Sequence, residues 1–241
     1  MIRVAAVGDV HFGTDSAGTL RSSFEKLAER ADLLLIAGDV TRHGDPAEAE
    51  VLARELDGIA ITKIAVLGNH DYHCDAQDAI RCVLRDRGVE VLEGSSTVVR
   101  SNGARVAVAG IKGFGGGFAG ACGSDFGEPE MKAFVRHTKA AARRLEEALR
   151  SLDGDLRIAL LHYSPIEGTL RGERLEIYPF LGSYLLAEAI DRVGADLCVH
   201  GHAHAGSEKG VTPGGVRVRN VALPVIKHPY NIYRCAGAPP P

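Results

Sequence analysis

The chain is poor in several features that would each point to a function. Aromatic residues make up only 5% of its 241 residues, and no stripe of basic side chains runs among them. It therefore lacks the stacking platform and cationic track of a nucleic-acid channel. Positive charge is not in excess either: 28 Lys and Arg face 31 Asp and Glu, for a formal net charge of -3. No global field gathers polyanions or anionic lipid, so any attraction for an anionic substrate must be local. The five cysteines, Cys74, Cys82, Cys122, Cys198 and Cys235, are odd in number and never spaced C-x-x-C. That argues against a disulfide framework or a thiolate zinc site and fits reduced thiols. No apolar run approaches the length of a bilayer span, and Ile2–Val7 reads at once as a strand, leaving no room for a leader. The expected setting is cytoplasmic, with neither membrane nor nucleic acid as partner.

What remains is ordinary globular material, 45% hydrophobic and 24% charged, long enough to bury a substantial core. Short apolar runs alternate with amphipathic ones, the pattern of an α/β fold. Strands are expected at Ile2–Val7, Leu33–Ala37 and Ile64–Leu67, separated by helical patterns at Ser16–Ala31 and from Asp45 onward. A further helix over Asp75–Arg87 stops at Gly88. Asp45 suits the N-cap, Pro46 the first turn and Glu48 the capping-box position. Asp9, Asp39 and Asn69 thus recur about every thirty residues, each after a strand and a glycine, which is the length of a β-α-β unit. In open α/β sheets ligands bind beyond the carboxyl ends of the strands, where all three residues lie. The second half adds strands near residues 89–92, 97–100, 105–109, 157–161, 197–199 and 216–221, and helices over Glu128–Leu152 and Ser183–Val193. Strands paired without crossovers near residues 89–109 imply a mixed sheet. No linker divides the chain, so residues 1–235 read as one domain and Ala236–Pro241 as a frayed tail.

Five segments carry the chemistry: Gly8-Asp9-Val10-His11, Gly38-Asp39, Gly68-Asn69-His70-Asp71, Leu161-His162 and His200-Gly201-His202. Any one of them could be a cap, a turn or a packed histidine. Together they place nitrogen and oxygen donors at one edge of the sheet: Asp9, His11, Asp39, Asn69, His162, His200 and His202. Seven donors exceed one tetrahedral ion, and the mixture suits Mn, Fe, Zn or Co better than Ca. Two ions sharing a carboxylate would use the whole set.

The ordered series D-x-H, G-D, G-N-H-D, H, G-H-x-H strongly resembles the calcineurin-like metallophosphoesterase family over residues 9–204. The resemblance implies mixed β-sheets sandwiched between helices, and two divalent ions. It places Asp9, His11 and His202 on the first ion, Asn69, His162 and His200 on the second, and Asp39 between them. His70 corresponds to the catalytic histidine, and Asp71 would orient it by accepting its hydrogen bond. The implied activity is hydrolysis of a small phosphate mono- or diester by a hydroxide shared between the metals, with no phospho-enzyme intermediate. Two ions and a hydroxide against Asp9 and Asp39 leave a net charge of about +1, which favours an anionic ester. A scaffold that had lost catalysis and bound a partner protein would show erosion of this set, and none is eroded. A metal-dependent amidohydrolase would carry H-x-H first and its Asp last, the inverse of the order here.

Substrate contacts are expected from Phe114, Phe118, Tyr163 and His204. The first two lie in a glycine-rich segment that could close over the metals as a lid across residues 112–125. That segment lacks the Gly-Lys-Ser/Thr of a phosphate-binding loop.

Overall fold

A computed structural model describes residues 1–236, so only Ala236 of the expected frayed tail falls within it; residues 237–241 lie outside the described residues. The first ninety residues form the expected β-α units. Strands β1 (Ile2–Val7), β2 (Leu33–Ala37), β3 (Thr62–Val66) and β4 (Val89–Val91) lie side by side in that order, all parallel. Each crossover steps to the next neighbour in the same direction, and right-handed crossovers then place their helices on one face of the sheet. The helices Pro46–Glu55 and Gln77–Asp86 cover that face through buried Leu52, Leu56, Ile80 and Leu84. The opposite face is free to meet a second sheet. All five residues of β2 are buried, and removing each Leu or Ile side chain from water contributes about 1.5–3 kcal/mol.

The second sheet begins with a hairpin of β5 (Ser95–Ser101) and β6 (Ala104–Ile111). A small ribbon of β7 (Gly117–Phe118) and β8 (Ala121–Cys122) stands apart from it. Strand β9 (Leu156–Leu161) joins β6 in parallel, and β10 (Leu197–His200) joins β9. Beyond them β11 (Lys209–Val211) pairs antiparallel with β12 (Arg217–Asn220), itself parallel to β10. Alternation along β6 divides its side chains between two layers. Val106 and Val108 join the core shared with β1, β2 and β3, whereas Ala107 and Ala109 pack towards the helices Pro129–Arg150 and Tyr184–Val193. The result is the expected mixed α/β sandwich of helices, two sheets and helices. A last strand, β13 (Asn231–Cys235), returns antiparallel to β1. Among the described residues no helix is long and apolar enough to cross a membrane.

Three local expectations change. The single helix over Ser16–Ala31 is two short turns, Arg21–Phe24 and Leu27–Arg30, although Leu20, Phe24, Leu27 and Ala31 are all buried as their spacing implied. Tertiary anchors override the local pattern. The Glu55 carboxylate accepts from the backbone N–H groups of Gly18 at 2.6 Å and Leu20 at 3.0 Å, and Arg21 reaches the carbonyls of Arg54, Glu55 and Asp57. Asp45 caps its helix by accepting from Ala47 N–H at 2.8 Å, but Glu48 closes no capping box. It turns to the preceding loop, accepting from His43 N–H at 2.7 Å and pairing with the His43 ring at 2.9 Å. The strand expected at Leu197–Val199 also runs one residue further, through His200.

Because Glu55 is buried and satisfies two backbone donors, Glu55→Ala should destabilise the fold by about 1.5–3 kcal/mol. Urea denaturation measures the loss, and limited proteolysis should show it as new cleavage between residues 16 and 31.

Candidate metal centre

The carboxyl ends of β1, β2 and β3 in one sheet meet those of β9 and β10 in the other, and the donor residues sit on the loops leaving those strands. The backbone is strained to place them. Asp9, His11, Asp39 and His202 have φ of 56, 44, 50 and 69 degrees, in the left-handed region that non-glycine residues rarely occupy. Each such residue costs on the order of 1–3 kcal/mol, and that cost persists where side chains are held for a purpose. Two of the motif glycines are needed for close approach. A Cβ on Gly68 would collide with the Asp39 carboxylate, and one on Gly201 with that of Asp9.

Potential ligand atoms gather in two groups, each within 4.8 Å: Asp9, His11, Asp39 and His204 in one, and Asp39, His162 and His202 in the other. Asp39 belongs to both. Its Oδ2 lies 3.7 Å from His11 Nε2 and its Oδ1 lies 3.4 Å from His162 Nε2, while His70 N–H donates to Oδ1 at 2.8 Å. Asn69 Oδ1 joins the second group, 2.9 Å from His162 Nε2.

The proton positions follow from the neighbours. His162 Nδ1 is 2.9 Å from the Ala37 carbonyl, which can only accept. Nδ1 therefore carries the proton, and a neutral ring turns the Nε2 lone pair towards the oxygens of Asn69 and Asp39. His202 Nε2 likewise faces the Phe180 carbonyl at 3.2 Å, leaving Nδ1 as the electron-pair donor. His11 Nε2 is buried without a hydrogen-bond partner among the described residues. Lone pairs converging with an orphaned imidazole nitrogen are the arrangement a divalent cation completes, so these residues fit a metal site.

Burial favours the neutral, coordinating form of two of these imidazoles, those of His11 and His202. It lowers His11 and pushes His202 down to about 3. Burial opposes ionisation of Asp9, yet the hydrogen bond and charge of His204, with the hydrogen bond from the His202 N–H, hold its carboxyl below the usual range. The same 2.9 Å contact with Asp9 raises His204.

Several expected positions change. His202 stands in the second group rather than the first, and His204, expected only as a substrate contact, stands in the first. His200 is not brought to either group. As the last residue of β10 its side chain points into the interior, where Nδ1 donates to the Gly201 carbonyl and Nε2 meets Thr169 Oγ1, both at 2.8 Å. Asp71 does not hold His70. Its side chain turns back between the ends of β2 and β3 and accepts from Val40 N–H, Thr41 N–H, Thr41 Oγ1 and Gly68 N–H at 3.2, 2.8, 2.5 and 2.8 Å. Burial, with repulsion from Asp39, pushes its carboxyl up to about 6. The orienting partner of His70 is instead the Arg42 carbonyl, 2.8 Å from Nδ1. Among the described residues Nε2 of His70 has no hydrogen-bond partner, and the ring lies 4.5 Å from that of His11.

Among the expected substrate contacts, Tyr163 lies beside the centre, its ring 4.4 Å from that of His202, and Phe114 is its neighbour at 5.9 Å. Phe118 is buried with Leu170, Tyr178, Leu181 and Ala203, and what remains open of it lines a cavity with Pro165, Ile166 and Tyr184 rather than the donor groups. The segment expected as a lid is fastened to the chain near Pro179, Gly116 N–H donating to Pro179 O at 2.7 Å and Gly117 N–H to Gly182 O at 2.9 Å.

In fold the chain is similar to the phosphopantetheinyl hydrolase of Mycobacterium tuberculosis, at 19% identity and a TM-score of 0.65 over 93% of this chain and 90% of that one. It is also similar to GAP50, the anchor in the inner membrane complex of Plasmodium, at 14% identity and a TM-score of 0.55 over 92% and 71%. No curated protein matches the sequence. The model of the calcineurin-like phosphoesterase family matches residues 2–206. With the donor sequence and its strand-end geometry in agreement, the chain belongs to the calcineurin-like phosphoesterases, metal-dependent hydrolases acting on phosphate esters.

Proposed function

We propose that the chain hydrolyses a small phosphate ester at a centre of two divalent ions, with Asp9, His11 and His204 holding one, Asn69, His162 and His202 the other, and Asp39 shared. The observation that carries this reading is Asp39, whose two oxygens face different donor groups. Nitrogen and oxygen donors without thiolate suit Mn, Fe, Zn or Co. When bound, such ions acidify water and draw charge from phosphoryl oxygens.

The chain's own residues supply the rest. His70, its Nδ1 proton fixed on Arg42 O, lies beside His11, and its Nε2 can hydrogen-bond or protonate the leaving oxygen. Asp71 ties the loops after β2 and β3 together and so holds Asp39, Asn69 and His70 in register. Tyr163, pushed up to about 12 by burial, keeps its O–H as a donor beside His202. The net charge of -3 supports a small ester over a nucleic acid. Five free cysteines support a reducing, cytoplasmic setting. The hydrolase from M. tuberculosis is named for a phosphopantetheinyl group, and at 19% identity its likeness supports the fold and not that substrate.

Metal analysis and turnover of aryl phosphate mono- and diesters with Mn²⁺ and with chelator test this reading. Two ions per chain and chelator-sensitive turnover are expected; metal-independent turnover, or none with any divalent ion, would sink it. Asp39→Asn should lose metal and activity together, since a neutral amide bridges poorly. His204→Ala should lower metal content, whereas His200→Ala should keep it at some cost in thermal stability. The reverse pattern would restore the ligand set that the resemblance implied. His70→Ala should keep its metal and slow kcat by roughly 10²–10⁴-fold, the usual worth of acid–base help.

A further inference from the structure

Lys112 follows directly on β6, and its side chain runs into a box of aromatic rings beside the candidate centre. Its Nζ lies 4.7 Å from the centre of the Tyr72 ring, 5.4 Å from Tyr163 and 5.5 Å from Phe114. The box is well fixed. Lys112 O accepts from the N–H groups of His162 at 3.1 Å and Tyr163 at 3.0 Å, and Phe114 packs against Phe134 and His137 at 5.1 and 4.4 Å. It also adjoins the chemistry on two sides: Tyr163 touches His202, and Tyr72 shares the single helical turn His70–Tyr72 with His70.

Among the described residues Lys112 forms no ion pair. The nearby Glu93 carboxylate is engaged by Arg144 at 3.4 Å and by the Lys112 backbone N–H at 3.3 Å. Burial accordingly lowers the pKa of Lys112, against the attraction of Glu93 and Asp39. Aromatic faces compensate part of the cost of desolvating a cation, but an anion compensates it more fully. None of this is required for attack at phosphorus, for which the donor groups and His70 suffice.

We infer that Lys112, with Tyr72, Phe114 and Tyr163, forms a leaving-group pocket that selects phosphate esters whose leaving group carries a second anionic group next to an apolar or aromatic portion. This inference rests on the phosphoesterase reading and names the substrate class it takes. The rings accept the flat or apolar portion of the leaving group, Lys112 pairs with its anion, and His70, on the same helical turn as Tyr72, serves the scissile oxygen.

The test separates binding from turnover. Calorimetry on the Mn²⁺-loaded protein compares phenylphosphonate with 3- and 4-carboxyphenylphosphonate, which keep the phosphorus group and differ in the added charge. At least one carboxylated compound should bind about tenfold or more tightly than the parent, as a charge-assisted contact allows. In Lys112→Met the ratio should fall to about one, and Lys112→Arg should restore part of it. The matching phenyl and carboxyphenyl phosphates should show the same preference in kcat/KM, mainly through KM. Equal binding of all three compounds by the native protein, or a preference that survives Lys112→Met, overturns the inference. A Lys112-dependent binding preference without turnover of any ester supports the pocket and counts instead against the proposed hydrolysis.

Discussion

Two carboxylates buried side by side, Asp9 and Asp39, set the problem that the rest of the molecule solves. Each is at most 2% exposed, and both open onto one donor group. Left alone, two such charges would repel each other. Backbone N–H groups hold both in place: that of His202 is shared between the two oxygens of Asp9, and that of His70 donates to Asp39. Imidazoles surround them, and left-handed backbone at four donor positions accepts strain to aim them. The two-sheet architecture serves the same end, because only the meeting of two sets of strand ends brings residues 9, 39, 69, 162, 202 and 204 to one point.

Much of this was legible from sequence because the signals were local and repeated. An apolar run followed by Gly and a polar donor marked β1, β2 and β3 and named Asp9, Asp39 and Asn69 correctly as strand-end residues. The histidine run was harder. In His200-Gly201-His202-Ala203-His204 every second residue is a histidine, so a one-residue error in the end of β10 shifts the whole set. The strict order Gly-His-x-His begins at Gly201 and was the available clue. The site needs that glycine there because the Asp9 carboxylate occupies the place of a Cβ.

Other features were legible only in three dimensions. Nothing local to Asp71 says that its partners lie at Val40 and Thr41, some thirty residues earlier, and the role of Arg42 O in orienting His70 has no sequence signature. Lys112 had meaning only as the edge of a glycine-rich loop until Tyr72 and Tyr163 appeared on either side of it. The broken helix at residues 16–31 had the right buried residues and the wrong continuity, since Glu55 and Arg21 draw that stretch against the end of a later helix.

The pairing of β1 with β13 joins Ile2 to Cys235, and Gly8 N–H reaches across to Val221 O. The strand that delivers Asp9 and His11 is thus flanked on one side by residues made early in synthesis and on the other by residues made more than two hundred positions later. Contacts of such long sequence separation form slowly, because the loop between them must close first. Fragments are therefore not smaller versions of the whole. A piece ending at β4 holds Asp9, His11, Asp39, Asn69 and His70 but none of the later histidines, and a piece starting at β5 holds the histidines without a carboxylate at the centre. A single cut in the short connection between the two sheets, residues 92–94, would leave two halves, each with an incomplete coordination sphere and one open sheet face.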